Sequence, residues 1–368
     1  MALNTIEEAI AAIAAGELVV VVDDTDRENE GDLIMAATKS TPERIAFMIR
    51  HTSGILCVPM HPERAEGLNL QPMVANNRDP MRTAFTVSVD YKGGLTTGIS
   101  AEERSNTIQA LANDNCVAGD FVRPGHIFPL IAREGGVLTR SGHTEAAIDL
   151  ATLAGVEPVG VLAEVVNDDG TVKRLPQLLE FAREHGLKIV SIEDLIEYRV
   201  RKENFVRRVD SFDVSAHGRT ISVHVYETPF DQLQHVAITV GEVAGQEEVL
   251  CRIHREHVLT DLLRGSATSK GWLDSALARF DESGVFVLIR DPAVLRPGDS
   301  PSKPAGTDEE KHLSARQRRA RWREVGVGAQ ILRDVGVRSI VLLSGHERQY
   351  VGINGFGIRI ARTEIVGG

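Results

Sequence analysis

The segment LVVVVDDTDRENEGD, Leu18 to Asp32, passes from an almost unbroken apolar run into a burst of charge. A short apolar run without alternation is the pattern of a buried strand. From Asp23 to Asp32, seven of ten residues are acidic or basic: Asp23, Asp24, Asp26, Arg27, Glu28, Glu30 and Asp32. Carboxylates this dense repel one another unless a cation or hydrogen bonds compensate. Hard oxygen donors of this kind suit magnesium or manganese, with waters and substrate oxygens completing the shell. Gly31 supplies a permissive backbone. A solvated acidic turn accounts for the same composition equally well.

On either side, helix and strand patterns alternate. Thr5 and Glu8 have capping-box spacing, Ile6, Ile10 and Ile13 repeat at helical intervals, and Gly16 can end that helix. Thr41-Pro42 opens a second helix that stops near Gly54, followed by the strand-like ILCVPM. FTVSV alternates as a strand, and Ser100 with Glu103 caps another helix. HTEAAIDLATLAG reads as helix up to Gly155, PVGVLAEVV as strand, and Asp169-Gly170 as a tight turn. Pro176 to His185 reads as helix, KIVSI as strand, and Ser191 with Asp194 opens a last helix. Alternation over roughly the first 200 residues implies an α/β or α+β sheet domain.

The basic, aperiodic RVRKENFVRR, Arg199 to Arg208, reads as a linker. A second mixed domain follows, with strands near ISVHVYE, HVAITVG and VFVLIR, a Pro- and Gly-rich stretch, and a helix and strands through IVLLSG. The expected division is 1–200 and 205–368, in keeping with 368 residues at roughly 150 per domain.

Composition narrows the function classes. Hydrophobic residues make up 42%, charged residues 25%, and the formal net charge is -11. Such a surface repels nucleic acid and acidic membranes, so neither is an expected partner. An anionic substrate must be drawn in by clustered cations or a bound metal. The three cysteines, Cys57, Cys116 and Cys251, form no C-x-x-C pair, which points to a reducing compartment. Acidic residues stand where a secretory signal would be basic, and no apolar run approaches the roughly 20 residues of a membrane span. A soluble cytoplasmic protein is expected.

Two further clusters carry chemistry. In TRSGHTEAAIDL, Thr139 to Leu150, the residues Ser141, Gly142, His143 and Thr144 open a helix beside Arg140. Helix-start amides and a permanent cation together make a cradle for phosphate or sugar hydroxyls. In RPGHIFPL, His126 follows Gly125. Glu164 interrupts the apolar run VGVLAEVV, where a carboxylate is paired, solvent-facing or catalytic. Taken singly, each has a plain structural reading: a helix-start histidine, a strand-edge histidine, an alternating strand position. Together they fit proton transfer on a metal-held phosphosugar.

DDTDRENEGD, RHTSGILCVPM, TTGISAEERSNTI, RPGHIFPL, TRSGHTEAAIDLATLAG and VLAEVVNDDGT, in this order, closely resemble 3,4-dihydroxy-2-butanone 4-phosphate synthase of riboflavin biosynthesis. The resemblance implies an α+β fold, a homodimer, and conversion of D-ribulose 5-phosphate to the butanone phosphate plus formate. It also implies two magnesium or manganese ions at the site. Carried over by position, Glu28 and His143 are the implied metal ligands. Arg27, Glu28, Asp32, Arg140, Ser141, Gly142, His143, Thr144 and Glu164 are the implied substrate contacts. His126 and Glu164 are the implied catalytic pair. Cys57, Thr83, Thr96 and Thr97 are candidates for the pocket wall.

Behind the linker, EEVLCRIHREHVLTDLLRG and EVGVGAQILRDVGVRSIVLLSG resemble GTP cyclohydrolase II. That family binds zinc through C-x10-C-x-C. Aligned through RIHREH, the three ligand positions fall on His257, Thr268 and Lys270. Thr is a poor zinc ligand and a Lys ammonium opposes cation binding. Cys251 is out of register. The family's E-G-R-G-I-G-L stretch has no counterpart, RPGDSPSKPAGTDEE (Arg296 to Glu310) standing near its place, and its N-N-P-x-K run is replaced by Ser344 to Arg348. The expectation is a second mixed α/β domain of cyclohydrolase type without zinc or GTP hydrolysis. The run Arg316, Arg318, Arg319, Arg321 and Arg323 reads as a solvated basic helix face, or as a phosphate-binding module. A bifunctional synthase and cyclohydrolase, or a non-catalytic protein binding a phosphate-bearing ligand, are the alternatives.

Overall fold

The computed structural model describes residues 3–24, 27–216, 218–229, 232–256, 272–280, 282–290, 315–344 and 357–365. The chain divides into two units, Met1–Tyr198 and Arg199–Gly368.

The first unit runs α1 (Ile6–Ala14), β1 (Val19–Val22), β2 (Gly31–Ala36), α2 (Pro42–His51), β3 (Cys57–Met60), α3 (Pro62–Gly67), β4 (Val89–Tyr91), α4 (Ala101–Leu111), β5 (Phe121–Ile131), α5 (His143–Leu153), β6 (Gly160–Glu164), α6 (Leu175–His185), β7 (Lys188–Ser191) and α7 (Ile192–Lys202). Its strands form one mixed sheet in the order β4-β5-β3-β6-β2-β1-β7. The apolar run predicted as a buried strand is β1, whose four valines are all buried. Both capping boxes read from sequence form: Thr5 with Glu8 at α1, and Ser100 with Glu103 at α4. The core gathers Val20, Leu33, Met35, Val58, Ile108 and Val161 with the inner faces of α2 and α6.

The second unit also builds one mixed seven-stranded sheet, in the order β14-β13-β11-β12-β10-β9-β8. Its elements are β8 (Arg207–Ala216), β9 (Arg219–Glu227), β10 (His235–Val240), β11 (Val249–Arg255), α8 (Trp272–Leu277), β12 (Gly284–Ile289), α9 (Ala315–Asp334), β13 (Ser339–Ser344) and β14 (Arg359–Ile365). Tyr226 is fully buried and donates its hydroxyl to Asp334 Oδ2 at 2.8 Å. Among the described residues, no helix is long and apolar enough to cross a membrane.

Two expectations are corrected. Arg199 to Arg208 is not irregular throughout: the two units do divide at Tyr198/Arg199, but Arg199, Arg201 and Lys202 form the basic last turn of α7, Arg207 opens β8, and only residues 203–206 connect the two elements. Cations at a helix C-terminus are favourable, so the basic run continues α7, and β8 is an edge strand exposed at almost every position, so it carries no burial signature in sequence. FTVSV is not a strand either. Phe85 and Thr86 make only isolated bridges, to Leu130 and Pro72, and pairing begins at Val89. Alternation reports which side chains are covered, not which backbone groups are paired.

Candidate active site

The charged segment leads straight into β2, a strand the sequence pattern did not reveal. Asp32 is its second residue and is buried. A Cβ at Gly31, one position earlier, would meet Leu178 Cδ1 of α6 at 2.5 Å, so that side chain would have to shift.

Strand register then sets the site. Asp32 pairs with Val21 of β1 on one side and with Glu164 of β6 on the other. Paired residues share a face, so the two carboxylates stand side by side. Cys57 of β3 pairs with both Leu162 of β6 and Phe128 of β5. Glu164 lies two residues beyond Leu162 and His126 two before Phe128. Because β6 runs against β3 and β5 runs with it, both offsets lead to the same end of the sheet. Glu164 and His126 are two strand spacings apart, roughly 10 Å of sheet.

The loop from Asp23 to Glu30 folds over that end. Asp23 accepts the amides of Glu30 (2.8 Å) and Glu28 (3.0 Å) and the Arg27 guanidinium (3.0 Å), which also pairs with Glu28. Arg174, at the start of α6, donates to the Glu28 carbonyl at 2.8 Å. Asn29 adopts a left-handed φ of 55° that closes the turn. These contacts overturn the solvated-turn alternative. Asp26 lies outside the described residues.

Helix α5 supplies His143 from its first turn. Nε2 lies 3.1 Å from the Val21 carbonyl, which can only accept, so Nε2 carries hydrogen and Nδ1 faces the carboxylates. Nδ1 is 3.8 Å from Glu28 Oε2 and 3.8 Å from Asp32 Oδ1. Asp23, Glu28 and His143 each offer a ligand atom, all within 4.8 Å of one another. Asp32 Oδ1 is buried without a hydrogen-bond partner.

The electrostatics match a site arranged for a cation. Burial, with Glu164, Glu28 and Glu30 adding repulsion, pushes the Asp32 carboxyl up to about 7. Burial works against charging His143, yet Asp32, Glu28 and Asp23 outweigh it and hold the imidazole up at about 9. The His143 imidazolium leads in drawing Glu28 down to about 2, against burial and with help from Arg27. Carboxylate and imidazole donors, an orphaned buried oxygen and mutual repulsion together fit a hard divalent ion.

The remaining predicted residues divide. Glu164 accepts from Ser53 Oγ at 2.7 Å. Arg140 does not stand open for an anion: it donates to Glu145 Oε2 (2.6 Å), to the Met81 carbonyl (3.1 Å) and to Thr83 Oγ1 (3.3 Å). Gly142 is the N-cap of α5, and Thr144 is buried in its first turn. Cys57 is a buried strand residue whose thiol is pushed up by burial, and Thr96 is tied to Glu103. Sequence reasoning missed Asp23 as a donor, although it flagged its segment. It also missed Asp90, which binds His126 twice. The available signal was a carboxylate at the end of an apolar alternation, in VSVDY.

Buried carboxylates beside an oriented imidazole, with a second histidine along the same sheet end, are groups suited to acid–base chemistry. The chain belongs to the 3,4-dihydroxy-2-butanone 4-phosphate synthase family, whose model matches residues 7–198. The GTP cyclohydrolase II family model matches residues 207–365. The chain is 44% identical over 368 residues to riboflavin biosynthesis protein RibBA of Aquifex aeolicus, covering 97% of this chain and 91% of that one. It is similar to RibBX of A. baumannii, described as a two domain 3,4-dihydroxy-2-butanone 4-phosphate synthase, with a TM-score of 0.79 and 38% identity over 99% of this chain and all of that one. A synthase solved in complex with two magnesium ions covers 54% of this chain and 98% of its own, with a TM-score of 0.53 and 44% identity. The protein is a 3,4-dihydroxy-2-butanone 4-phosphate synthase of riboflavin biosynthesis, fused to a unit of GTP cyclohydrolase II type.

Proposed function

We propose that the synthase uses two magnesium or manganese ions held from Glu28 and His143, with Asp23 beside them, to convert D-ribulose 5-phosphate to the butanone phosphate and formate. The convergence of Asp23, Glu28 and His143 carries this reading, and the magnesium-bound relative supports it. A bound divalent cation would offset the carboxylate repulsion and lower the cost of negative charge on substrate oxygens. The chain's own residues do the rest. Arg27, Asp32 and Arg140 to Thr144 line the substrate's place. Glu164 and His126, at one end of the sheet, exchange protons with the sugar carbons.

The second unit, in this reading, does not hydrolyse GTP. His257, Thr268 and Lys270 lie outside the described residues, as do Arg296 to Glu310 and Gly345 to Arg348, so the argument rests on residue chemistry. One described feature supports it. Cys251, the sole cysteine of this unit, is buried in β11 and its thiol is pushed up by burial, whereas a zinc ligand must be a thiolate. The side chains of Arg316 to Arg323 also lie outside the described residues. We further read the synthase as a homodimer in a reducing cytoplasm. Exposed Ile55, Met73, Val74 and Ile99 on the first unit supply apolar surface for association.

Carbon NMR of labelled ribulose 5-phosphate with full-length protein and magnesium tests the reaction. Butanone phosphate and formate should appear together, and a chelator should stop both. Conversion that persists in chelator overturns the metal assignment.

A further inference from the structure

His126 is fixed by a neighbour that no motif singles out. Asp90, on β4, is almost wholly buried. Its Oδ1 accepts the His126 backbone amide at 2.8 Å, and its Oδ2 lies 2.7 Å from His126 Nδ1. An ionised carboxylate only accepts, so Nδ1 carries the hydrogen and Nε2 of the neutral ring is bare. The His126 side chain is 41% exposed, leaving Nε2 accessible.

Two other elements close on this pair. Gly98 has φ 81°, and a Cβ there would strike Asp90 Oδ2 and come within 2.8 Å of His126 Nδ1. Its loop is held by Glu103, which accepts from the Thr96 amide (2.6 Å), Thr96 Oγ1 (2.8 Å) and Ser100 Oγ (2.8 Å). Arg104, one turn along α4, is buried, donates to the Gly54 carbonyl at 3.3 Å and supplies positive charge toward Asp90.

We propose that Asp90 is a positioning residue that locks His126 in the tautomer with a bare Nε2, ready to take a proton from substrate. The inference rests on the reading of His126 as a catalytic group. When Nε2 gains that proton, the imidazolium faces the Asp90 carboxylate, which stabilises it without itself being protonated.

Asp90→Asn discriminates sharply. The carboxamide keeps an oxygen toward the His126 backbone amide only by turning its NH2 toward Nδ1. Nδ1 must then accept, and the ring proton moves to Nε2. Nitrogen-15 NMR of the full-length protein, with His126 assigned by its loss in His126→Gln, reads the tautomer directly. The wild type should show a bare Nε2 and D90N a protonated one. In D90N kcat should fall about 10²- to 10³-fold with KM little changed. A protonated Nε2 in wild-type protein overturns the proposal even if D90N does not fold. So does wild-type turnover in D90N alongside loss of turnover in H126Q. Full activity in H126Q instead removes the catalytic reading of His126, and this inference with it.

Discussion

Replacing Asp32 with Asn should make the metal-free protein more stable while destroying its activity. The folded-state carboxyl sits at about 7 against an ordinary 3.8, because it is buried beside Glu164, Glu28 and Glu30. A raised carboxyl pKa means the ionised form is disfavoured in the folded chain. The penalty is absent below about pH 4, where the group is protonated folded or unfolded. It grows through the window from about 4 to 7 and is complete above it. At about 1.4 kcal/mol per pH unit the full penalty is up to about 4 kcal/mol. Asn is close in size and neutral, so it removes the penalty. For a unit of this length each kcal/mol moves Tm by roughly 2–4 °C, so a gain on the order of 10 °C is expected at pH 8. The assay is thermal unfolding of both proteins in chelator at pH 4, 6 and 8. The gain should be negligible at pH 4 and largest at pH 8. Added magnesium should still raise Tm for D32N as for wild type, because Asp23, Glu28 and His143 remain, through ligand linkage. A D32N protein that is less stable than wild type at pH 8, or equally shifted at every pH, refutes the argument.

Glu28→Gln should abolish turnover and calorimetric magnesium binding while leaving circular dichroism unchanged; retained magnesium heat would exclude Glu28 as a ligand. Magnesium binding near pH 8 should release protons, because His143, held up at about 9, must give up its Nδ1 proton to become a ligand. Calorimetry in buffers of different ionisation enthalpy measures that release, and a buffer-independent heat contradicts it. Purified protein should carry no stoichiometric zinc and release no formate from GTP, and about one zinc per chain with GTP turnover would restore the bifunctional reading. Gly98→Ala should lower kcat by about 10-fold or more, since its Cβ displaces the Asp90–His126 pair; wild-type kcat in that variant would show that the loop can yield.

Much of the site was legible in the chain because its chemistry is concentrated. Seven charged residues in ten, directly after a valine strand, force a compensating cation or hydrogen-bond network wherever they fold. Capping boxes at Thr5 and Ser100 are local, so spacing alone placed both helix starts. The alternation of helices and strands in the first unit also follows from local periodicity, but the strand order does not. The edge strand β8 was hidden because a strand exposed on both faces has no apolar pattern to read. Strand β2 was hidden because its first residues are Gly31 and Asp32, which read as the end of an acidic turn. Only the register across β1, β2 and β6 put Asp32 beside Glu164, and only the packing of α5 brought His143 to both Glu28 and Asp32. Asp90 and His126 are 36 residues apart, and the β4–β5 pairing brings them together. Sequence determined which groups are present and where the capped helices and the apolar strand β1 lie, because those depend on neighbours along the chain. Tertiary structure decided which carboxylate is buried, which is paired and which imidazole nitrogen is free, because desolvation and hydrogen bonding depend on neighbours in space.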